Sequence, residues 1–427
     1  MTTNRFRVRW DVLAAIVGVT SGSLLAFALR SDTQFTPPPA GTAPPAVVDA
    51  PAPPVDPPPA EPSQSTPTLV AAANAAIDLR AHALAGELST MWTRNPDELV
   101  RVIDDASRAA PVTPSVTLLL AIAHAETNGK ILDVSEAGAV GLAQATPIAC
   151  RQEEIEGKLF VTADYTTGAR AYIMKKPLGD ADRIATMVLD RFGDKATLRK
   201  AKKLLVAAKS LRREGVGELD LLDVWAGDSF FAGVKKMDRH NARVLDELAR
   251  VLDRGSKKEL RAFRNDVRTE YRALRDKQRR AWVDYERDLI DRRDALLTAH
   301  FRENPTVVKK TRPYEAGEFL AAELDVRFSP TKMAKFLVRH LERKSEEAQK
   351  LAKSKSDVET MTAALYNGGS HNVKRMLAGL IASLPETERY MRKVPATRRR
   401  LDGVVARAGD GGAPLPDSGD GALITPR

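Results

Sequence analysis

A single carboxylate at the end of an apolar helix is the feature of this 427-residue chain that points most clearly to chemistry. Residues Leu118 to Ala125 are almost wholly apolar, Glu126 follows them, and Asn128-Gly129 is a dipeptide typical of a helix end. Glu126 is therefore predicted to lie in the last helical turn, where apolar surroundings and the partial negative charge of the helix C-terminus both disfavour its ionised form. A raised pKa suits general-acid catalysis, although a glutamate at a helix end is more commonly a solvated surface charge.

A glycine-rich segment, SEAGAVGLAQATP, follows from Ser135 to Pro147. Together with Glu126-Thr127 it resembles the catalytic core of the soluble-type (SLT) lytic transglycosylases, in which a Glu, usually followed by Ser, precedes a loop of the form S-x-x-G-A-x-G-L-M-Q-x-x-P. The resemblance implies a goose-lysozyme-like α fold and cleavage of the glycan strands of peptidoglycan. Thr127 and Ala143 stand where the family has Ser and Met, and the smaller Ala143 is expected to change the wall of the cleft.

Two segments near the C-terminus extend the resemblance. Residues 363–369 read AALYNGG and are similar to the family's A-Y-N-A-G segment, with Leu365 and Gly368 in place of its two alanines. Residues 384–391 read LPETERYM and are similar to its P-x-E-T-x-x-Y-V segment. Three motifs in the family's order make a strong signal for lytic transglycosylase activity.

The resemblance also implies roles for particular residues. Glu126 is expected to be the catalytic residue, and Tyr366 is expected to hydrogen-bond near Glu126 and help to orient it. The other substrate-binding residues are expected to be Ser135, Gln144, Asn367 and Glu386, the last as a contact of the stem peptide. Polar side chains of these types also cap helices and brace loops, so each role has a purely structural alternative.

Only one acid is implied by the resemblance, whereas most glycosidases use two. Glu126 would protonate the glycosidic oxygen between N-acetylmuramic acid and N-acetylglucosamine while the substrate's acetamido group assists departure. It would then accept the proton of the C6 hydroxyl, which closes on C1 to give a 1,6-anhydromuramoyl end. Two alternatives stay open: a lysozyme-type hydrolase with Asp133, Glu136 or Glu388 as a second acid, and a non-enzymatic glycan-binding scaffold whose insertion recruits partners.

A long insertion separates the motifs. More than 200 residues lie between the glycine-rich segment and the Tyr-Asn motif, and within them the helix predicted from Phe328 to Leu341 matches the family. The insertion is therefore placed at residues 150–327, between the first part of the catalytic domain at 69–149 and its second part at 328–407.

The insertion is predicted to be helical. Residues 165–174 form one helix, and a periodic stretch from Met237 to Leu252 ends at Asp253-Arg254-Gly255-Ser256, which predicts a helical hairpin. Apolar side chains in the charged second half recur at helical spacing, at Leu260, Phe263, Val267, Tyr271, Leu274, Trp282, Tyr285, Leu289 and Leu296. We interpret this stripe as a packing face against the catalytic core or the twin helix; a coiled coil that binds a protein partner is the alternative.

Residues 1–30 are predicted to direct export. Three arginines precede the apolar stretch Val12 to Leu29, which at eighteen residues is just long enough to span a bilayer. The stretch ends in an A-x-A pattern, so an uncleaved anchor and a cleaved signal peptide both stay open. Residues 31–68 are a spacer, because half of the chain's 26 prolines lie between Pro37 and Pro67. A tether of this kind favours the anchor, and hence a periplasmic protein held at the inner membrane.

Composition favours an almost all-α protein, because aromatic residues make up 5% of the chain and strand-like alternation is scarce. The net charge of +10 fits an anionic partner such as peptidoglycan or phospholipid headgroups, and the predicted export argues against nucleic acid. Residues 408–427 are expected to form a disordered tail. The sequence thus predicts an all-α, lysozyme-like catalytic domain with a large, hairpin-like helical insertion.

No cofactor and no metal are expected. The six histidines show no metal-binding spacing, and they lie at His82, His124, His240, His300, His340 and His371. Cys150 is the only cysteine, which excludes an internal disulfide, and it is expected to be a small core residue.

Overall fold

The computed structural model describes residues 66–92, 95–110, 115–304, 318–354, 357–382 and 384–409. This part of the chain is almost entirely helical and contains isolated β-bridges but no strand, which confirms the predicted all-α class. None of its helices is long and apolar enough to cross a membrane. The predicted export segment, most of the proline-rich spacer and residues 410–427 lie outside the described residues.

Thirteen α-helices are present in the described ranges. They are α1 (Thr66–Ser89), α2 (Asp97–Arg108), α3 (Val116–Thr127), α4 (Pro147–Gln152), α5 (Ala163–Asp190), α6 (Lys195–Leu219), α7 (Asp228–Arg254), α8 (Lys257–Glu303), α9 (Glu318–Leu324), α10 (Pro330–Leu351), α11 (Val358–Gly368), α12 (Ser370–Leu377) and α13 (Pro385–Gly409). Short 3-10 helices cover Asp220–Leu222 and Val326–Phe328.

Two boundaries differ from the sequence prediction. Helix α1 begins at Thr66, inside the predicted spacer, because a proline such as Pro67 is tolerated in the first turn of a helix, where its missing N–H needs no partner. Helix α13 continues to Gly409, two residues into the segment predicted as a tail.

The first hydrophobic core brings together the two ends of the described region. Helices α1, α2 and α3 contribute side chains such as Leu84, Ile103 and Leu120, and α10 contributes Phe336 and Leu337. All five are at most 1% exposed. Helix α3 is apolar on every side because α2, α10 and α13 all pack against it. Each fully buried leucine or phenylalanine contributes about 2 kcal/mol to this packing.

A second core lies within the bundle formed by α5, α6, α7 and α8. Its buried residues run from Leu178 to Val267 in the sequence, with Leu380 added from the segment after α12. Helix α8 has 47 residues and is therefore about 70 Å long. It begins with a capping box in which Ser256 and Glu259 each satisfy the other's backbone N–H.

The apolar stripe of α8 packs chiefly along α5, a partner that the sequence interpretation did not name. Two glycines of α5 allow the close approach: Trp282 lies directly on Gly168, and Tyr271 lies on Gly179. Helix α5 is also longer than the predicted helix at 165–174, because it continues through Pro177 to Asp190. Burial of the following turns in the second core offsets the hydrogen bond that the proline cannot make.

Candidate active site

Glu126 lies in the last turn of α3, as its sequence context predicted. The helix ends at Thr127, and Asn128 adopts the left-handed conformation with a φ of 53°. Gly129 follows with a φ of 79°, and a Cβ there would lie 2.4 Å from the Trp92 ring. Only glycine fits such a conformation against an aromatic face without strain. The turn therefore fixes the point at which α3 delivers the Glu126 side chain.

Residues 133–145, which include most of the glycine-rich segment, form a compact loop after that helix end. Val140 makes isolated β-bridges with Val134 and with Ala145, and the Gly141 amide donates to the Asp133 carbonyl at 2.9 Å. Left-handed backbone occurs three times in the loop, at Gly138, Gly141 and Gln144. We call residues 133–145 the glycine-rich loop.

Ser135 and Gln144 both use their side chains to hold this loop. The Ser135 hydroxyl oxygen accepts from the Ala139 amide at 3.1 Å, and the Gln144 amide nitrogen donates to the Gly141 carbonyl at 3.2 Å. Both side chains are partly exposed. Their predicted contacts with sugar remain a prediction, and each keeps unused hydrogen-bonding capacity for it.

Tyr366 lies at the end of α11 and reaches the glycine-rich loop. Its hydroxyl donates to the Ala143 carbonyl at 2.8 Å, whereas the sequence predicted a hydrogen bond near Glu126. The ionised form of Glu126 nevertheless raises the pKa of Tyr366 beyond the effect of burial, so the two groups are neighbours. The Tyr366 ring lies edge-on to His340, with centroids 5.3 Å apart.

Tyr390, on α13, is the tyrosine that faces the Glu126 carboxyl group. Its ring is parallel to that of Tyr366, with centroids 6.4 Å apart. Interaction with the Tyr390 hydroxyl lowers the pKa of Glu126, yet that hydroxyl is buried and has no partner among the described residues at ordinary hydrogen-bond geometry. The contact therefore falls outside the distance or angle of an ordinary hydrogen bond. The sequence marked this residue as the tyrosine of the P-x-E-T-x-x-Y motif but gave no reason to place it here.

The environment of Glu126 favours a protonated carboxyl group. Burial is the largest effect and raises its pKa to about 7. This value includes three smaller effects: the Tyr390 contact and the charge of Lys393 lower the pKa, and the charge of Glu386 raises it. A carboxyl group with a pKa near 7 can donate a proton and accept one at neutral pH, which is what a general acid and base requires.

The remaining two predicted site residues lie on either side of the α11–α13 contact. Asn367 uses its side-chain oxygen to accept from the Thr387 hydroxyl at 3.0 Å, which braces α11 against α13. Glu386 is exposed in the first turn of α13 and is close enough for its charge to act on Glu126. The structure thus brings Glu126, Tyr366 and Glu386 to one place. Tyr390, on α13, lies beside them.

His124 lies on α3, two residues before Glu126. Burial lowers its pKa to about 4, so the imidazole is neutral at physiological pH. Its Nδ1 accepts from the Trp92 indole N–H at 3.2 Å. Lys393 donates to the His124 carbonyl at 3.2 Å, which places a cation at the C-terminus of α3.

Arg327 holds the glycine-rich loop by hydrogen bonds, a role that the sequence did not predict. Its side chain is completely buried and makes five hydrogen bonds. Two go to the carboxylate of Asp325, at 2.9 and 2.6 Å, and two go to the carbonyls of Gly138 and Ala145, at 2.7 and 3.2 Å. The fifth goes to the Tyr285 hydroxyl at 2.7 Å. One guanidinium therefore fixes two carbonyls of the loop.

Among the described residues, no group of three or more His, Cys, Asp or Glu side chains is arranged to hold a metal ion. Cys150 is a free thiol buried in the first core, as expected for a small core residue. Burial raises the pKa of this thiol to about 12, so it stays protonated and unreactive.

Comparison of the chain with protein-family models, with curated proteins and with solved structures found no significant match.

Proposed function

We propose that this protein is a peptidoglycan lytic transglycosylase that cleaves the bond between N-acetylmuramic acid and N-acetylglucosamine with formation of 1,6-anhydromuramoyl ends. The observation that carries the proposal is the setting of Glu126. A carboxyl group with a pKa of about 7 lies at a helix end, beside two tyrosines supplied by segments that resemble the SLT motifs. We further propose that the two ends of the described region form a lysozyme-like domain around it.

The reaction needs one carboxyl group that works in both directions. Glu126, protonated, gives its proton to the glycosidic oxygen as the C1–O bond breaks, and the substrate's acetamido group stabilises the positive charge that develops at C1. Glu126, now ionised, takes the proton of the C6 hydroxyl as O6 bonds to C1. Glu126 ends as it began, and no water is consumed. Burial of the carboxyl group favours its protonated form until the leaving oxygen accepts the proton, and the Tyr390 hydroxyl favours the ionised form that follows.

A hydrolase is the second candidate because Glu386 lies near Glu126. The charge of Glu386 raises the pKa of Glu126, which adds Glu386 to Asp133, Glu136 and Glu388, the second acids that the sequence offered. An ionised Glu386 is suited to activating a water molecule if its carboxylate reaches the other face of the sugar.

The cellular setting is also proposed from the sequence. An N-terminal segment that anchors the chain in the inner membrane and a proline-rich spacer would place the catalytic part in the periplasm, within reach of the wall. The α5–α8 bundle remains a candidate surface for a protein partner.

Digestion of purified peptidoglycan sacculi tests the proposal. Wild-type protein is compared with Glu126→Gln, and with Glu136→Gln as a matched change on the exposed tip of the glycine-rich loop; the released muropeptides are identified by mass spectrometry. Anhydro ends that are produced by the wild type and by Glu136→Gln, but not by Glu126→Gln, support the transglycosylase. Reducing ends support the hydrolase. If the protein sediments with sacculi and releases neither product, the scaffold hypothesis is the better account.

A further inference from the structure

We propose that the α5–α8 bundle positions the glycine-rich loop through Tyr285 of α8, so that the bundle acts as a brace of the site. The meaning of the loop for catalysis rests on the proposed function, whereas the brace itself is a property of the fold. Tyr285 and Arg327 are positioning residues in this inference, because they act through the loop and not on the substrate.

The brace begins at the Tyr285 hydroxyl. It accepts a hydrogen bond from Arg327 at 2.7 Å and donates one to the Phe160 carbonyl at 2.8 Å. Tyr285 and Arg327 are both fully buried. Because Arg327 in turn donates to the carbonyls of Gly138 and Ala145, it links the hydroxyl on α8 to the middle and to the C-terminal end of the loop.

The Tyr285 ring makes a second, direct contact with the loop. Gly138 has a φ of 73°, and a Cβ at this position would lie 2.6 Å from the ring. The ring also packs against Tyr165, with centroids 5.0 Å apart, and against Phe160, at 6.0 Å. The backbone of the loop therefore lies directly on an aromatic ring that Tyr165 and Phe160 also contact.

A third contact lies two turns further along α8. Arg293 donates to the Leu132 carbonyl at the entrance of the glycine-rich loop. Between these two points lies Glu286, whose pKa is raised by partial burial first and then by the like charge of Glu136 on the loop. Contacts from Tyr285 to Arg293 thus follow the loop along one helix.

The other half of α8 belongs to the second core. Its residues Leu260 and Val267 are buried in the core that α5, α6 and α7 also line, so the bundle sets where the helix lies. A rigid helix held at one end by its own bundle and in contact with the loop at the other transmits a displacement of the bundle to the loop. Ligands or partners that bind the bundle would then alter the glycine-rich loop from a distance.

Hydrogen exchange of backbone amides, followed by mass spectrometry on the full chain, tests the brace without any substrate. Tyr285→Phe keeps the ring on Gly138 and removes the hydroxyl that Arg327 and Phe160 share. We expect the amides of residues 133–145 to exchange about five- to tenfold faster, because both buried hydrogen bonds of the Tyr285 hydroxyl are lost and Arg327 is held less firmly, while the amides of α3 and α10 are unchanged. Tyr271→Phe, on the same helix but against Gly179, is the control and should leave the loop as in the wild type.

The outcomes separate this inference from the proposed function. Unchanged exchange in the loop of a folded Tyr285→Phe variant overturns the brace, whatever the protein does to glycans. Faster exchange supports it even if wild-type protein releases no muropeptides, in which case only the proposed function fails. If glycans are cleaved, a rise in KM with little change in kcat is also expected, since the loop carries the predicted sugar contacts Ser135 and Gln144. Should Tyr285→Phe not fold, Arg293→Gln removes the donor to Leu132 from the surface of α8 and is judged by the same exchange rates.

Discussion

The Tyr366 hydroxyl donates a 2.8 Å hydrogen bond to the Ala143 carbonyl, which joins two sequence motifs that are 223 residues apart. Tyr366 belongs to the Tyr-Asn segment and Ala143 to the glycine-rich loop. Because the α5–α8 bundle lies between them in the sequence, this bond closes the site across the whole insertion. With its single proton donated to Ala143, the Tyr366 hydroxyl has none left to donate to Glu126.

Tyr366→Phe tests this closure. The substitution keeps the ring against His340 and Tyr390 but leaves the Ala143 carbonyl without its donor. We expect the free energy of unfolding to fall by about 1 kcal/mol, measured by urea denaturation, and glycan cleavage to fall more steeply because the loop moves relative to Glu126. Tyr271→Phe is the control, and equal unfolding midpoints for the two variants would contradict the role given to the Tyr366 hydroxyl.

The raised pKa of Glu126 has a consequence for stability. Burial raises this pKa from its ordinary value near 4.5 to about 7, so the folded protein binds a proton that the unfolded chain releases between these two values. The stabilising effect of this bound proton is complete below pH 4.5 and is lost as the pH rises through 7. Glu126→Gln should therefore be more stable than the wild type at pH 8, by about 3 kcal/mol, and nearly equal to it at pH 4. Thermal unfolding across this range measures the difference. Glu136→Gln, an exposed change that leaves Glu126 in place, should keep the pH dependence of the wild type.

Local conformational preference explains which parts of the site could be predicted. The Asn128-Gly129 pair ends a helix wherever it occurs in such a context, so the position of Glu126 followed from neighbouring residues alone. The start of α10 was equally local, because Ser329 caps it and Pro330 occupies its first turn.

Long-range partners explain what could not be predicted. The apolar stripe of α8 showed which face is buried but not that α5 would cover it, since helical spacing carries no information about the neighbour. Arg327 was assigned to the end of the insertion as one charge among many, although in the fold it is completely buried. Its role depends on Asp325, Tyr285 and two loop carbonyls meeting at one point, which only the tertiary structure brings about.

Two charges near Glu126 should move its pKa in opposite directions. Glu386→Gln removes a negative neighbour and should lower the pKa of Glu126, whereas Lys393→Gln removes a positive one and should raise it. Titration of isotope-labelled glutamate carboxyl groups by NMR measures both. If cleavage occurs, the pH at which the acid form is lost should follow the same order. A loss of all cleavage in Glu386→Gln at every pH would instead favour Glu386 as the base of a hydrolase.

Gly129 should tolerate no side chain. Its φ of 79° and the Trp92 ring 2.4 Å from a Cβ mean that Gly129→Ala must displace either the helix end or the indole. We expect a loss of about 2–3 kcal/mol in the free energy of unfolding. Gly86→Ala provides the contrast, because Gly86 lies in α1 with nothing within 4 Å of an added Cβ, and it should raise stability by about 0.5–1 kcal/mol. Chemical denaturation measures both changes in the free energy of unfolding. A Gly129→Ala variant as stable as the wild type would show that the turn is not fixed as described.

The ion pair of Asp325 and Arg327 should be far more sensitive to substitution than the ion pairs on the surface. Both side chains are fully buried, so Asp325→Asn leaves the Arg327 charge without a counter-ion in the interior and is expected to cost about 3–5 kcal/mol. Asp253→Asn, which breaks a half-exposed pair with Lys202, should change the unfolding midpoint little. The cost at Asp325 reflects an uncompensated charge and does not measure what the intact pair contributes.

Arg327→Lys distinguishes the charge of Arg327 from the geometry of its guanidinium. An ammonium group keeps the charge but cannot reach the carboxylate, the Tyr285 hydroxyl and both loop carbonyls at once. The loss in the free energy of unfolding should therefore be smaller than for Asp325→Asn but still about 2 kcal/mol. Equal urea midpoints for Arg327→Lys and the wild type would mean that the charge alone matters, and that the loop carbonyls do not depend on the fork of the guanidinium.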